Sequence, residues 1–467
     1  MMVGILCLLL LLLIASAQSE NITVSELKKV VKLERELLHN LRIYAHELEN
    51  RLRHINGAIT EYGEHIQQLD GHPDLYMSNP LFAFRIITHM RQHWPAWQLY
   101  MTQPPGSDQL EMQQRLISLL PTRDAHKQAA QSLQSLFKFY NFAPANFLLE
   151  NNKHLRLSSL DCYHMGRELY EQQKYHEAVD WLAAAAANYS PTTLHDKLLG
   201  VSLGRIHEMQ LKVFKKLNMR VEALGVLSRA LELQPENKLL LSQLYQLEQQ
   251  EPVHPLPASA APPSELQKQC RGNNKQNSYL VCELNDALTP FLQLAPLRLE
   301  EAWDEPYVII YKNGIYEREI GHMKDAFEHC PPSARLRTIA GVKGCTISDR
   351  YSVITTLLTD RIVDMTGLNL HRNQMFLFEY GPREPFQLQD LHQSIDVNVE
   401  SIEATAILFL NDMALGGAIT IAHQEMAVFP RRGDALILQN EEDFQYTVCP
   451  NVVGNRLVLI KFLMANE

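Results

Sequence analysis

A proline-rich stretch at residues 249–268 cuts this chain into two halves with different periodicities. Pro252, Pro255, Pro257, Pro262 and Pro263 stand there, with Ala and Ser among the residues between them. Proline fixes φ and has no backbone N–H, so the stretch reads as a semi-extended linker and a domain boundary. Before it, apolar residues recur at the three- and four-residue steps of a helix. After it, they come in short β-rich runs. A chain divided this way folds as regions of different class, all-α first and β-rich second. Its 467 residues allow two to four domains.

Residues 23–70 read as one long amphipathic helix, with Thr23 and Glu26 at capping-box spacing. Leu27, Val30, Leu37, Leu41, Tyr44, Leu48 and Ile55 fall at helical steps, interrupted by Glu34 and Arg51. The pattern suits a coiled-coil-like seam that pairs two chains, and it equally suits a helix packed inside its own domain. Gly71-His72-Pro73 ends it. Further helical sequence runs to Leu148, broken at Asn79-Pro80 and Pro104-Pro105-Gly106. Residues 158–248 are helical throughout and carry a degenerate repeat. Gly166, Tyr175, Ala178, Leu182 and Ala185 match tetratricopeptide spacing, and Ala223, Leu227, Ala230 and Pro235 match its second half. Ala178 and Ala223 lie 45 residues apart, so an insertion separates the copies. Tyr163, Tyr170, Tyr175 and Trp181 supply aromatic rings there, and the three tyrosines are the candidates for contact with a peptide.

Past the linker the runs are Tyr307–Tyr311, Met375–Phe378, Ala406–Leu410, Ala418–Ile421, Ala435–Leu438 and Leu457–Ile460. Turn signals such as Gly416-Gly417 and Arg432-Gly433-Asp434 separate them, which predicts a sandwich or jelly roll.

The N-terminus predicts an address. Residues 4–14 form an apolar run of signal-peptide length, followed by Ala15-Ser16-Ala17, so cleavage is expected before Gln18. No second run approaches a membrane span. The mature chain is then expected in the endoplasmic reticulum lumen or outside the cell, with Asn21 in a usable glycosylation sequon. A second sequon, at Asn188, is followed by Pro191, which disfavours it. Lys and Arg number 43 against 53 Asp and Glu, a net charge of −10, which argues against nonspecific binding of nucleic acid. Past the signal, six cysteines remain: Cys162, Cys270, Cys282, Cys330, Cys345 and Cys449. An oxidising lumen permits disulfides among them, with Cys270 and Cys282 as candidates and the connectivity open. No C-x-x-C pair supports a structural zinc site.

This order of parts resembles the α subunits of animal collagen prolyl 4-hydroxylases. Residues 76–85, Tyr-Met-Ser-Asn-Pro-Leu-Phe-Ala-Phe-Arg, with Trp94-Pro95, look like that family's dimerisation domain. Leu160-Asp161-Cys162-Tyr163 through Trp181 looks like its peptide-substrate-binding domain. Cys270-Arg271-Gly272, Leu294-Ala295-Pro296, Leu410-Asn411-Asp412, Gly416-Gly417 and Pro430 through Ala435 look like its catalytic jelly roll. The resemblance implies a signal at 1–17, a helical dimerisation domain at 18–150 and a tetratricopeptide-like peptide-binding domain at 155–248. The linker follows at 249–268, then a double-stranded β-helix with flanking helices at 269–467. It further implies proline-rich or collagen-like peptides as ligands. The implied protein partners are a second chain, bound through the N-terminal helix, and protein disulfide isomerase.

The family's enzymes use Fe(II), 2-oxoglutarate and ascorbate, and hold the iron with an H-x-D pair and a distal His. Counted from Tyr380-Gly381, the first His position is Gln389 and the Asp position is Leu391. Counted back from Cys449-Pro450, the distal His position is Tyr446. The cation that meets the 2-oxoglutarate carboxylate becomes Arg456, with Lys461 as a second cation nearby; Arg456 reads equally as a strand-end surface charge. The resemblance thus implies a pseudoenzyme in which no residue is assigned as catalytic and no cofactor is expected. The alternative is an active procollagen-proline dioxygenase with unusual ligands, re-using Asp390 and His392 with Tyr446. His371 and His423 occupy no matching position. The chain stops at Glu467, short of the family's last cysteine, which leaves Cys449 expected without a partner.

Overall fold

The structure, a computed structural model, describes residues 24–464 except 72, 75–77, 148–155, 193–197, 250–252, 258–261, 273–278, 337–341, 371–373, 382–383, 396–401, 422–423 and 441–444. The signal segment, Asn21, His371 and His423 lie outside the described residues, as does part of the linker. Two compact units meet in the chain at Ala129 and Ala130.

The first unit holds helices α1 (Val24–Gly71), α2 (Pro80–Thr88), α3 (Trp94–Thr102) and α4 (Ser107–Ile117), with a π-helical turn at His89–His93. Asn79 caps α2 by accepting from Leu81 N–H, and Pro80 sits where a helix tolerates it. One face of α1 packs within its own unit. Asn40 Nδ2 donates to Gln109 O at 2.8 Å, and the Tyr44 ring fills the space where a Cβ on Gly106 would sit 2.4 Å away. Arg51 caps the end of α3, donating to the carbonyls of Tyr100 at 2.6 Å and Met101 at 3.1 Å. One of the two residues that interrupt the apolar pattern is therefore a helix cap. An adjoining face leaves Leu27, Val31, Leu38, Leu41, Leu48, Leu52, Ile59 and Ile66 exposed.

The second unit begins within α5 (Arg123–Tyr140) and continues through α6 (Ser159–Glu171), α7 (Tyr175–Ala187), α8 (Leu203–Lys216), α9 (Arg220–Leu233) and α10 (Lys238–Gln249). Ser158 and Asp161 form a capping box at the start of α6. A Cβ on Gly166 would lie 2.6 Å from Leu182, so the glycine lets α6 and α7 approach closely. Helices α5, α6 and α8 end in the same left-handed turn, at Asn141 (φ 54°), Gln173 (φ 63°) and Asn218 (φ 56°). In each, the next residue's N–H reaches back five positions: Phe142 to Phe137 O at 2.9 Å, Lys174 to Leu169 O at 2.9 Å and Met219 to Phe214 O at 3.0 Å. This is the Schellman end. The turns after α6 and α8 repeat at the same spacing as Ala178 and Ala223.

The rest of the unit contains α11 (Glu265–Cys270), β1 (Cys282–Asn285), α12 (Pro290–Leu294), β2 (Leu297–Trp303), β3 (Val308–Lys312), α13 (Glu317–Glu328), β4 (Lys343–Ser348), α14 (Val353–Thr366) and β5 (Asn369–Leu370). It continues with β6 (Gln374–Tyr380), β7 (Phe386–Gln387), a 3₁₀ stretch (Leu388–Ser394), β8 (Ala404–Phe409), β9 (Ile419–Ile421), β10 (Ala427–Val428), β11 (Ala435–Gln439), β12 (Tyr446–Val448) and β13 (Arg456–Met464). The larger sheet runs β1-β2-β3-β11-β8-β13-β6-β4, and the smaller runs β10-β9-β12-β7. Pairing is antiparallel in both sheets. Alternation along β13 shows the layering. Val458, Ile460 and Phe462 join Phe386, Ile419 and Tyr446 in the core shared by the two sheets. Leu457, Leu459 and Leu463 share the other core with Ile320, Met323, Leu358 and Ile362 of α13 and α14. Helices, a large sheet and a small sheet thus stack in three layers.

The cysteine expectations require correction. Cys270 is bonded to Cys449, with Cα atoms 5.8 Å apart, and Cys330 to Cys345. Cys282 is a free, exposed thiol and Cys162 a free, buried one. The reason is packing: α11 lies against β9 and brings Cys270 beside Cys449, in a cluster with Tyr140 and Ala418. Cys282 sits instead on the edge strand β1, where no cysteine faces it across β2.

Candidate functional site

The three degenerate ligand positions converge. Strand β12 pairs with β7, placing Thr447 opposite Gln387. Tyr446 therefore stands where the chain leaves β7 for the 3₁₀ stretch that carries Gln389 and Leu391. Gln389 Oε1 accepts from Tyr446 N–H at 3.3 Å. Leu391, 2% exposed, and Tyr446 share the core between the sheets. The Tyr446 hydroxyl donates to Gln439 O at 2.5 Å. Iron in the family's arrangement asks for two imidazoles and a carboxylate. An aliphatic side chain has no lone pair to offer, the Gln389 carbonyl is engaged by a backbone amide, and the phenol spends its proton on a backbone carbonyl. The residues at these positions do not fit an iron ion. Asp390 is half-buried on the same stretch, and the side chain of His392 lies outside the described residues. Among the described residues, no three His, Cys, Asp or Glu side chains gather as ligands.

Arg456 is not a surface charge. It opens β13 opposite Tyr380 and is 1% exposed. Its parity is that of Val458, so the guanidinium enters the core between the sheets. Nη1 donates to Asn411 O at 2.8 Å, and Nη2 to Pro430 O at 2.9 Å and Gly417 O at 3.5 Å. The guanidinium also lies 4.8 Å over the Phe409 ring. Burial pulls the Arg456 pKa down, while Tyr380, Asp412 and Asp434 pull it back up. Arg456 Nε and the nearby Asn451 Oδ1 are buried without hydrogen-bond partners among the described residues. Sequence reading placed Lys461 beside this cation. Its parity puts it on the opposite face of β13, where Nζ meets Asp349 at 2.6 Å and Gln374 O at 2.9 Å. Burial lowers its pKa, opposed by Asp349.

Asn411, Gly417, Pro430 and Asn451 had no individual role in the sequence reading. The first three lie within the segments that carry the family resemblance, but they meet Arg456 through backbone carbonyls, which leave no mark on residue identity. Gly417 adopts φ 69°, and a Cβ there would stand 2.8 Å from Asn451 Oδ1.

The three tyrosines of the helical region separate. Tyr163 is 3% exposed and belongs to the core with Trp181 and Leu182, so its ring has no free face for a peptide. Tyr170 and Tyr175 are half-buried and face each other across the α6–α7 turn with ring centroids 5.4 Å apart.

The second unit thus joins helical hairpins to a two-sheet barrel, with three converging positions and a buried cation in the barrel's core. Residues 23–154 match the family described as "Prolyl 4-Hydroxylase alpha-subunit, N-terminal region". Prolyl 4-hydroxylase subunit alpha-2 of Gallus gallus is 20% identical over 514 residues, 96% of this chain and 94% of that protein. Prolyl 4-hydroxylase subunit alpha-1 of Rattus norvegicus is 22% identical, covering 98% and 96%. Along almost its whole length the chain is similar to prolyl 4-hydroxylase α subunits. Among solved structures, a 2OG-Fe(II) oxygenase family oxidoreductase of Burkholderia pseudomallei matches 34% of this chain and 84% of its own, at 11% identity and TM-score 0.27. The viral collagen prolyl hydroxylase of Paramecium Bursaria Chlorella virus-1, in its 2OG complex, matches 34% and 96%, at 10% identity and TM-score 0.26.

These matches correct the expectation that the chain takes no cofactor. Its relatives, aligned along almost its whole length, are hydroxylase subunits. The misfit concerns iron at three positions and gives no ground for denying the chain every cofactor. Among the described residues, no helix is long and apolar enough to cross a membrane.

Proposed function

We propose that this protein is a prolyl 4-hydroxylase α-subunit-like protein of the secretory pathway that binds proline-rich, collagen-like peptides without hydroxylating them. The observation that carries this reading is Leu391, an aliphatic side chain 2% exposed within the barrel core at the position of the acidic ligand. The peptide site is a tetratricopeptide-like module at residues 155–248, reached at Tyr170 and Tyr175. Proline-rich peptides are pre-organised as extended left-handed helices, so stacking on aromatic rings costs them little entropy. The exposed apolar face of α1 supports pairing with a second chain, and protein disulfide isomerase is the further partner.

The test is a titration with a peptide of repeated Pro-Pro-Gly, followed by incubation of the same peptide with Fe(II), 2-oxoglutarate, ascorbate and oxygen. Saturable binding with no hydroxyproline formed is the expected result. Hydroxyproline at catalytic turnover overturns the non-hydroxylating reading, and failure to bind removes the peptide role.

A further inference from the structure

We propose that the Cys270–Cys449 disulfide is the redox-sensitive half of a clamp that holds the helical hairpins on the barrel, its other half being Tyr140 and Arg271. Every contact of the clamp falls at one place. The Tyr140 hydroxyl, at the end of α5, donates to Pro450 O at 2.6 Å, one residue past Cys449. Arg271, one residue past Cys270, donates back to the last carbonyls of α5: Nε to Phe139 O at 2.9 Å and Nη2 to Lys138 O at 3.2 Å. A positive group at a helix C-terminus is favoured by the helix dipole. Between these contacts lies a small apolar cluster of Tyr140, Cys270, Ala418 and Cys449, packed by Leu136, Phe139 and Phe142.

Two features make this a switch and not a general staple. The cluster is separate from both barrel cores, which contain neither cysteine of the bond. Opening it therefore leaves the sheets their own packing. The clamp also lies on the loop that joins β12 to β13. Gly417 N–H donates to Pro450 O at 3.2 Å, and Gly417 O accepts from Arg456. Movement at the clamp thus reaches the buried cation through one glycine. Both sulfurs are buried, but α11, which carries Cys270, is a six-residue helix directly after the linker. Such a short helix opens locally at low cost and admits a reductant. The step is a thiol–disulfide exchange with a dithiol. The Sγ–Sγ bond breaks, Cys270 and Cys449 take up two electrons and two protons, and the dithiol closes to a disulfide.

Hydrogen exchange of the full chain tests this, comparing the wild type with a Cys270→Ser/Cys449→Ser variant that keeps Cys330–Cys345. The expected result is loss of protection at 136–142, 415–418 and 449–452, with β8, β11 and β13 still protected. Tyr140→Phe, with the disulfide intact, is expected to give a smaller loss in the same segments. As a second measurement, protein carrying Cys330→Ala and Cys345→Ala is treated with dithiothreitol under native conditions, so that the clamp bond is the one reduced. Unchanged exchange in the three segments overturns the proposal, and so does loss of protection in the strands together with them.

Discussion

Replacing Leu391 with aspartate tests whether the acidic-ligand position is sealed inside this barrel. Leu391 is 2% exposed and packs in the core between the sheets. Removing a fully buried leucine side chain forfeits about 2–3 kcal/mol of transfer free energy. A carboxyl group there with no partner stays protonated, and its unmet hydrogen bonds cost about 1–3 kcal/mol more. The sum is roughly 3–6 kcal/mol, and at about 2–4 °C per kcal/mol the melting temperature falls by roughly 6–24 °C. The penalty depends on pH. Burial raises the folded-state pKa of the new group above its unfolded value near 3.9. Its relative stability is therefore greatest below the unfolded pKa and is lost as pH rises through the folded pKa, by about 1.4 kcal/mol per pH unit between the two. Thermal unfolding at pH 5, 6, 7 and 8 measures this, with Leu391→Asn as a control of the same shape that does not titrate. The deficit of Leu391→Asp is expected to widen toward pH 8, while that of Leu391→Asn stays level. A Leu391→Asp protein that melts with the wild type at every pH would show that water reaches position 391.

Arg456→Met strips two short charge-assisted bonds from buried carbonyls, each worth about 1.5–3 kcal/mol, less the relief of guanidinium burial. It is expected to lower stability by about 2–4 kcal/mol in urea unfolding, with Arg456→Lys intermediate because an ammonium cannot reach all three carbonyls, spread over two loops, at once. Burial, with Asp161 adding to it, pushes the Cys162 thiol up to about 12, whereas Cys282 is exposed. Iodoacetamide at pH 8 is expected to label Cys282 in the native protein and Cys162 only after unfolding, as read by peptide mass spectrometry. Tyr170→Ala and Tyr175→Ala each remove one partner of a ring pair worth about 0.5–1.5 kcal/mol. Each is expected to weaken Pro-Pro-Gly peptide binding about three- to tenfold in the titration, and Tyr163→Ala to act through stability instead.

The runs of consecutive apolar residues were legible because both faces of their strands are buried. Gln374–Tyr380, Ala435–Gln439 and Arg456–Met464 each contain a predicted run, and Val308–Lys312, Ala404–Phe409 and Ile419–Ile421 each overlap one to within a residue. Strands β1, β2 and β4 escaped notice because they lie at or near the edges of the larger sheet and mix charge with apolar residues, as in Leu297–Trp303. The two-residue pieces β7 and β10 carry no pattern at all. Counting from Tyr380-Gly381 and Cys449-Pro450 selected three residues that do converge, since β12 pairs with β7. Arg456 was misjudged because its partners are main-chain oxygens on loops 26 to 45 residues away. The Cys270–Cys449 bond spans 179 residues and follows from how α11 docks, which no local spacing records.

The shared ending of α5, α6 and α8 makes the helical region modular. After α6 and α8 the joint reproduces one backbone geometry, with glutamine or asparagine in the left-handed conformation, and the next helix begins two residues further on. A segment bounded by two such joints can be duplicated or excised during evolution and still hand the chain onward in the same direction. The length of the array is therefore free to change more readily than the barrel, whose strands are interlocked in an order that sequence duplication cannot extend.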